Sequence, residues 1–223
     1  MTKQDQHPSL KVSQLANFQA APKALRGNRT GRGSYGRIPG RLMSPIVNHG
    51  AYPAKAVVGE EVTFRAHVFR EGHDEVGASI AVVSPTKKRS LVELHQVEPV
   101  GLDIFEGSFR PSEPGTWKFE LITYSDEWGT WLHAADAKLP IDQDRELVLA
   151  EGLALVDSAL KYHHALEPDD EPLHALRKAL TSDRDVQATA HRIDVDYAMR
   201  ARAPRTLATR SAKYQIEVSR RRA

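Results

Sequence analysis

The chain has 223 residues, 40% hydrophobic and 27% charged, with a formal net charge of +2 and no cysteine. That length suits one large domain or two small ones, with a core that needs no covalent staples. The absence of cysteine excludes disulfides, iron–sulfur clusters, thiolate zinc and a cysteine nucleophile, and so small a net charge gives no reason to expect nucleic acid as a partner. No run is long and apolar enough to cross a bilayer. The opening "MTKQDQHPSLKVSQLANFQA" has neither the basic start nor the apolar core of a signal peptide. A cytoplasmic protein with no membrane contact is the expectation.

Residues 1–35 read as a disordered basic leader. From Lys3 to Arg41 the basic residues Lys11, Lys23, Arg26, Arg29, Arg32 and Arg37 stand against the single acid Asp5. The stretch "RGNRTGRGSYGR" adds glycine and shows no apolar period, which suits a solvated tail. A leader that contacts an acidic partner would have the same composition.

From residue 36 to 142 the chain is strand-rich. In "EEVTFRAHVF", Val62, Phe64, Ala66 and Val68 alternate with Thr63, Arg65 and His67. "ASIAVVS" repeats the period through Ile80 and Val82, "SLVELHQV" follows, and "TWKFELITY" sets Trp117, Phe119 and Leu121 opposite Lys118 and Glu120. The turn-formers "SPTKK", "EPVGLD" and "PSEPG" separate the runs. Short strands at such intervals predict an all-β, immunoglobulin-like antiparallel sandwich.

Residues 143–211 change period. Leu149, Leu153, Val156 and Leu160 form a helical stripe, with Asp142 or Asp144 as its cap and Pro168 just beyond its end. A second helix follows Pro172 with Leu173, Leu176 and Leu180 inward. A third runs from about Asp183, with Val186, Ala190, Ile193 and Tyr197 inward, and stops before Pro204. "KYQIEVS" then returns to alternation through Tyr214, Ile216 and Val218, a strand at 212–219. A helical segment inserted into a sandwich explains this order with the fewest assumptions.

The candidate chemistry is sparse. His73 and Asp74 invite an acid/base reading, but neighbours on an extended chain point to opposite faces, and Gly72 and Gly77 bracket them as a loop between strands. His163 and His164, adjacent on a helix, diverge by about 100°. "PDDEP", with Asp169, Asp170 and Glu171, lacks the spacing of a calcium loop. Neither a G-x-S-x-G elbow nor a Walker-type loop occurs. No catalytic residue, metal or cofactor is expected. Trp128 and Trp131 in "EWGTW", with Tyr124 upstream, are the candidate binding residues. Exposed, they would stack on sugar rings; buried, they fill the core.

"GRIPG", "YPAKAVVGEEVTFRAHVFREGHDEVGA", "SDEWGTWLHAADAKL" and the start of the "DRELVLAEG" helix together resemble one family. It is the N-terminal region of the α-1,4-glucan:maltose-1-phosphate maltosyltransferases, the GlgE type, and Phe69 to Asp74 is its most distinctive part. The terminal "EVSRRRA" is similar to the segment that leads into the family's catalytic barrel. Two stretches depart from its usual pattern, Ile122 to Asp126 and Ser219 to Ala223.

The resemblance implies a β-sandwich with an inserted helical domain that forms much of a homodimer interface. It also implies that retaining chemistry, by an Asp nucleophile and a Glu acid/base, lies downstream in an amylase-type barrel. None of those catalytic residues has a counterpart here. The expectation is therefore a fragment of a transferase of glycogen and α-glucan metabolism: a non-catalytic dimerisation scaffold, inactive alone. Its partners would be a second copy and the barrel. The alternative is a stand-alone α-glucan-binding module.

Overall fold

Alternating apolar residues and two-residue periods become nine strands among the residues described by the computed structural model, which are 38–72, 74–97, 103–161 and 170–220. In chain order these are β1 (Gly40–Ser44), β2 (Ala54–Val57), β3 (Val62–Val68), β4 (Val76–Val83), β5 (Arg89–Gln96), β6 (Ile104–Phe109) and β7 (Gly115–Asp126). After the helices come β8 (Arg205–Arg210) and β9 (Tyr214–Ser219). The basic leader, His73, His163, His164, Pro168 and Asp169 lie outside the described residues.

The strands form one continuous sheet in the order β1-β3-β6-β5-β4-β7-β9-β2, with β8 also paired to β7. This corrects the expectation of separate, purely antiparallel sheets in two ways. β5 pairs along most of its length with β4, then passes to β6 through His95 and Gln96, so the sheet curls without a break. β2 pairs with β9 in parallel, which strands so distant in sequence can do because the intervening chain supplies the crossover.

The curl brings its limbs face to face. Phe64 of β3 meets Phe119 of β7 with ring centroids 5.1 Å apart, and Phe109 of β6 meets Trp117 of β7 at 5.5 Å. The inward set Val62, Phe64, Ala66 and Val68 is buried, as its alternation predicted. Ile38 is buried too, and its carbonyl accepts from the Thr123 hydroxyl at 2.7 Å, tying the entry of the chain to β7.

Five helices pack into a second cluster: α1 (Glu127–Lys138), α2 (Arg145–Lys161), α3 (Glu171–Ser182), α4 (Val186–Ala190) and α5 (Ile193–Arg202). α3 buries Leu173, Leu176 and Leu180 as predicted. α2 is helical as predicted, but its most buried residues are Val148, Gly152, Val156 and Ala159, and the leucines of the expected stripe pack at its flank. The face turns because Gly152 lets α2 close on Trp131, where a Cβ would stand 2.6 Å from the ring.

The third expected helix is two. Arg192 is extended (φ −65°, ψ 135°) and separates α4 from α5, so the inward face restarts out of phase. Val186 and Ala190 are buried, whereas Ile193 is 90% exposed and Tyr197 50%, and α5 buries Val195, Ala198 and Met199 instead.

Candidate functional site

The three candidate aromatics lie where β7 runs directly into α1. Asp126 ends the strand and caps the helix, its carboxylate accepting from the Gly129 amide at 2.9 Å. Sequence reading placed this stretch inside the sandwich and missed α1. Its signal was present: an Asp followed by Trp128, Trp131 and Ala135, the i, i+3, i+7 spacing of one helical face.

That face turns into the bundle. Trp128 is fully buried and Trp131 is 3% exposed. Their rings stack with centroids 5.1 Å apart and planes 18° apart. Each indole N–H has a partner, Trp128 donating to Asp196 Oδ1 at 2.9 Å and Trp131 to the Val148 carbonyl at 2.8 Å. The expected sugar-stacking platform is therefore not formed by these indoles, because a pyranose needs an open aromatic face and both rings are spent on the core.

Tyr124 is enclosed in another way. Its ring lies against Gly77 of β4, where any side chain would collide with it, and the Arg205 guanidinium carbon sits 4.6 Å from the ring centroid. The phenol donates to Glu93 Oε2 at 3.0 Å, while Arg205 donates to the Ser79 hydroxyl at 3.2 Å and ion-pairs with Glu93. Burial, aided by the Glu93 charge, pushes the Tyr124 phenol well above the ordinary tyrosine range. Burial works against the Arg205 charge, but Glu93 and Tyr124 outweigh it and raise the guanidinium above its usual value.

Polar contacts spread from this point to both halves of the molecule. The Asp126 amide donates to the Glu75 carbonyl at 2.9 Å, and the Thr130 hydroxyl accepts from the Glu75 amide while donating to the Asp126 carbonyl, both at 2.8 Å. Arg200 of α5 pairs with Asp126 and Asp196, both at 3.0 Å. The Thr206 hydroxyl of β8 donates to Glu127 Oε1 at 2.6 Å. Asp74 is held by Arg70 at 2.8 Å, and Arg70 also donates to the Ser125 hydroxyl at 3.1 Å.

Carboxylates and guanidiniums thus neutralise one another, and the Tyr124 hydroxyl, held on the Glu93 carboxylate that Arg205 orients, is itself enclosed by Gly77 and Arg205. The arrangement joins sheet to helices; it does not present a reacting group. Among the described residues no three His, Asp or Glu side chains converge as metal ligands, and no helix is long and apolar enough to cross a membrane.

Residues 36–220 match the family model described as α-1,4-glucan:maltose-1-phosphate maltosyltransferase, domain N/S. The maltosyltransferase of that name from Corynebacterium pseudotuberculosis is 32% identical over 194 residues, 84% of this chain and 28% of its own length. Maltosyltransferase 1 of Streptomyces coelicolor is 34% identical over 196 residues, again 84% of this chain and 28% of its length. Maltosyltransferase 2 of the same organism is 40% identical over 121 residues, 54% of this chain. The chain spans little more than a quarter of the first two relatives.

Proposed function

Because the chain belongs to the domain N/S family of α-1,4-glucan:maltose-1-phosphate maltosyltransferases, we propose that it is the non-catalytic, N-terminal scaffold of such an enzyme in glycogen and α-glucan synthesis. On this reading the transfer of maltosyl units belongs to parts of the relatives that residues 36–220 do not match. The scaffold supports that catalytic part and pairs with a second copy. Its organisation is a basic leader, an immunoglobulin-like sandwich that runs to Asp126 and is completed by the returning strands β8 and β9, and an inserted helical domain from Glu127 to Arg202. The limbs that face each other through Phe64 and Phe119 support the sandwich description. A chain with no cysteine suits the reducing cytoplasm.

The observation that carries the non-catalytic reading is the junction itself. Its carboxylates, guanidiniums and indole donors are matched to one another, which leaves nothing poised to react. Incubating the chain with maltose 1-phosphate and an α-glucan acceptor is expected to release no phosphate, and release above a boiled control would overturn the assignment. Sedimentation of the same sample is expected to show a dimer; a monomer across the accessible concentration range would remove the pairing role.

A further inference from the structure

The outer face of the sheet is closed at one end and open at the other. On β4 the inward residues Ala78, Ile80 and Val82 are buried in the core, so Ser79, Ala81 and Val83 face away from it. Around Ser79 that face is closed by Arg205, Glu93 and Tyr124. Ala81, Val83 and, on β5, Leu91 are only half-buried. The cross-strand register fixes what surrounds them. Val83 pairs with Arg89 of β5 on one side and Lys118 of β7 on the other, and Ala81 pairs likewise with Leu91 and Glu120. Directly opposed residues share a face. Arg89, Val83 and Lys118 therefore form one row, and Leu91, Ala81 and Glu120 the next. Strands about 4.8 Å apart set the Arg89 and Lys118 backbones roughly 10 Å from each other, with Val83 between them.

The charge on this face is positive and uncompensated. Arg89 and Lys118 are exposed, and neither has an ion pair or side-chain hydrogen bond to a described residue. The acids nearby are already engaged: Glu120 pairs with Arg210, while Glu217 accepts from the Thr116 hydroxyl and Glu113 from the Thr86 hydroxyl, both at 2.7 Å. The turn between β4 and β5 adds exposed Lys87 and Lys88 beside Arg89. That turn is tied internally. The Ser84 amide donates to the Lys88 carbonyl and the Lys87 amide to the Ser84 carbonyl, both at 2.9 Å, and the Lys88 amide donates to the Ser84 hydroxyl at 3.1 Å. Lys87 is left-handed (φ 66°), where glycine or asparagine is the usual choice for a hairpin. A charge thus stands where backbone geometry alone favours a residue without one.

We propose that this open face docks an acidic amphipathic helix of a partner protein, laid across β5, β4 and β7. A helix rises 1.5 Å per residue, so two acids seven residues apart stand about 10.5 Å from each other and match Arg89 and Lys118. Apolar residues three and four positions after the first acid lie on the same side of that helix and cover Val83, Ala81 and Leu91. An apolar centre within a charged rim is the anatomy of a protein interface, and the complementary charges set the helix direction across the strands. A nucleic-acid backbone would meet the cations but give Val83 and Leu91 no apolar partner. The face stands apart from the sheet–helix junction and does not rest on the pairing of two copies.

Fluorescence anisotropy with the whole chain tests this. The probe is a labelled alanine-based helical peptide containing Glu-Ala-Ala-Leu-Leu-Ala-Ala-Glu, compared with a scrambled peptide of the same composition and with a single-stranded oligothymidylate. The patterned peptide is expected to bind saturably and more weakly as salt is raised, and the scrambled one about tenfold more weakly or worse. Arg89→Glu and Lys118→Glu are each expected to weaken binding by about tenfold or more, because an attractive pair becomes a repulsive one. Both positions are exposed, so the unfolding midpoint should stay put. Lys178→Glu, the same charge reversal on an exposed position of α3, should leave binding unchanged. Absence of saturable binding, equal binding of the scrambled peptide, equal loss in the Lys178 variant, or tighter binding of the oligothymidylate would each overturn the proposal.

Discussion

Tyr124 shows how one side chain can be set by its neighbours more than by its own chemistry. Its phenol is enclosed by Gly77, Arg205 and Glu93, and its proton is held far more tightly than in an unfolded chain. A group whose folded value is raised stabilises the fold fully below its unfolded value, about pH 10, and that contribution is lost as pH rises beyond it. Wild-type protein is therefore expected to lose stability above about pH 10 more steeply than Tyr124→Phe, read as urea midpoints across the alkaline range. Parallel curves would show that the phenol is not held as described. Trp128 is governed in the same way: Trp128→Phe keeps a ring in the core but leaves Asp196 short of a donor, at a cost of roughly 1 kcal/mol.

At the scale of elements, contacts between helices decide which residues face inward. Gly152 is the clearest case. In an isolated helix, exchanging glycine for alanine stabilises by about 1 kcal/mol. Here the added methyl would press on Trp131 and Leu180, so Gly152→Ala is expected to destabilise by roughly 1–3 kcal/mol. Chemical denaturation gives the sign directly, and a stabilised variant would mean that α1 and α2 are not so close. The break at Arg192 has the opposite consequence, since it turns Ile193 outward and makes that position tolerant of polar residues. β8 was missed in the sequence because "RTLATR" carries no clean alternation. Its register on β7 slips between Thr123 and Ser125, and Leu207 is left-handed (φ 53°), as expected of a bulged strand.

The described residues form two apolar clusters, one inside the curled sheet and one among the helices. They are connected by the unbroken passage from β7 to α1 and by Arg200, Glu75 and Thr206, which reach across it. Sheet and helices are expected to unfold in one transition. Far-ultraviolet dichroism and tryptophan fluorescence should coincide, since Trp117 reports on the sheet and Trp128 and Trp131 on the helices. Two separated transitions would show that the junction does not couple them. Phe64→Ala, at the contact of the two limbs, is expected to cost roughly 3–5 kcal/mol and to lower both signals together.

Local periods were enough to locate β3, most of β7, α3 and β9, because alternation and the helical stripe record which side of an element meets the core. The quoted motifs were enough to suggest the family. The residues could not say whether Trp128 and Trp131 face water, since an indole in "EWGTW" serves a sugar site or a core equally well. Burial depends on what packs opposite, and here that is Val148, Gly152, Leu180 and Asp196, all distant in sequence. The curl through β5 and the parallel β2–β9 pair are likewise products of long-range pairing, which no local pattern encodes.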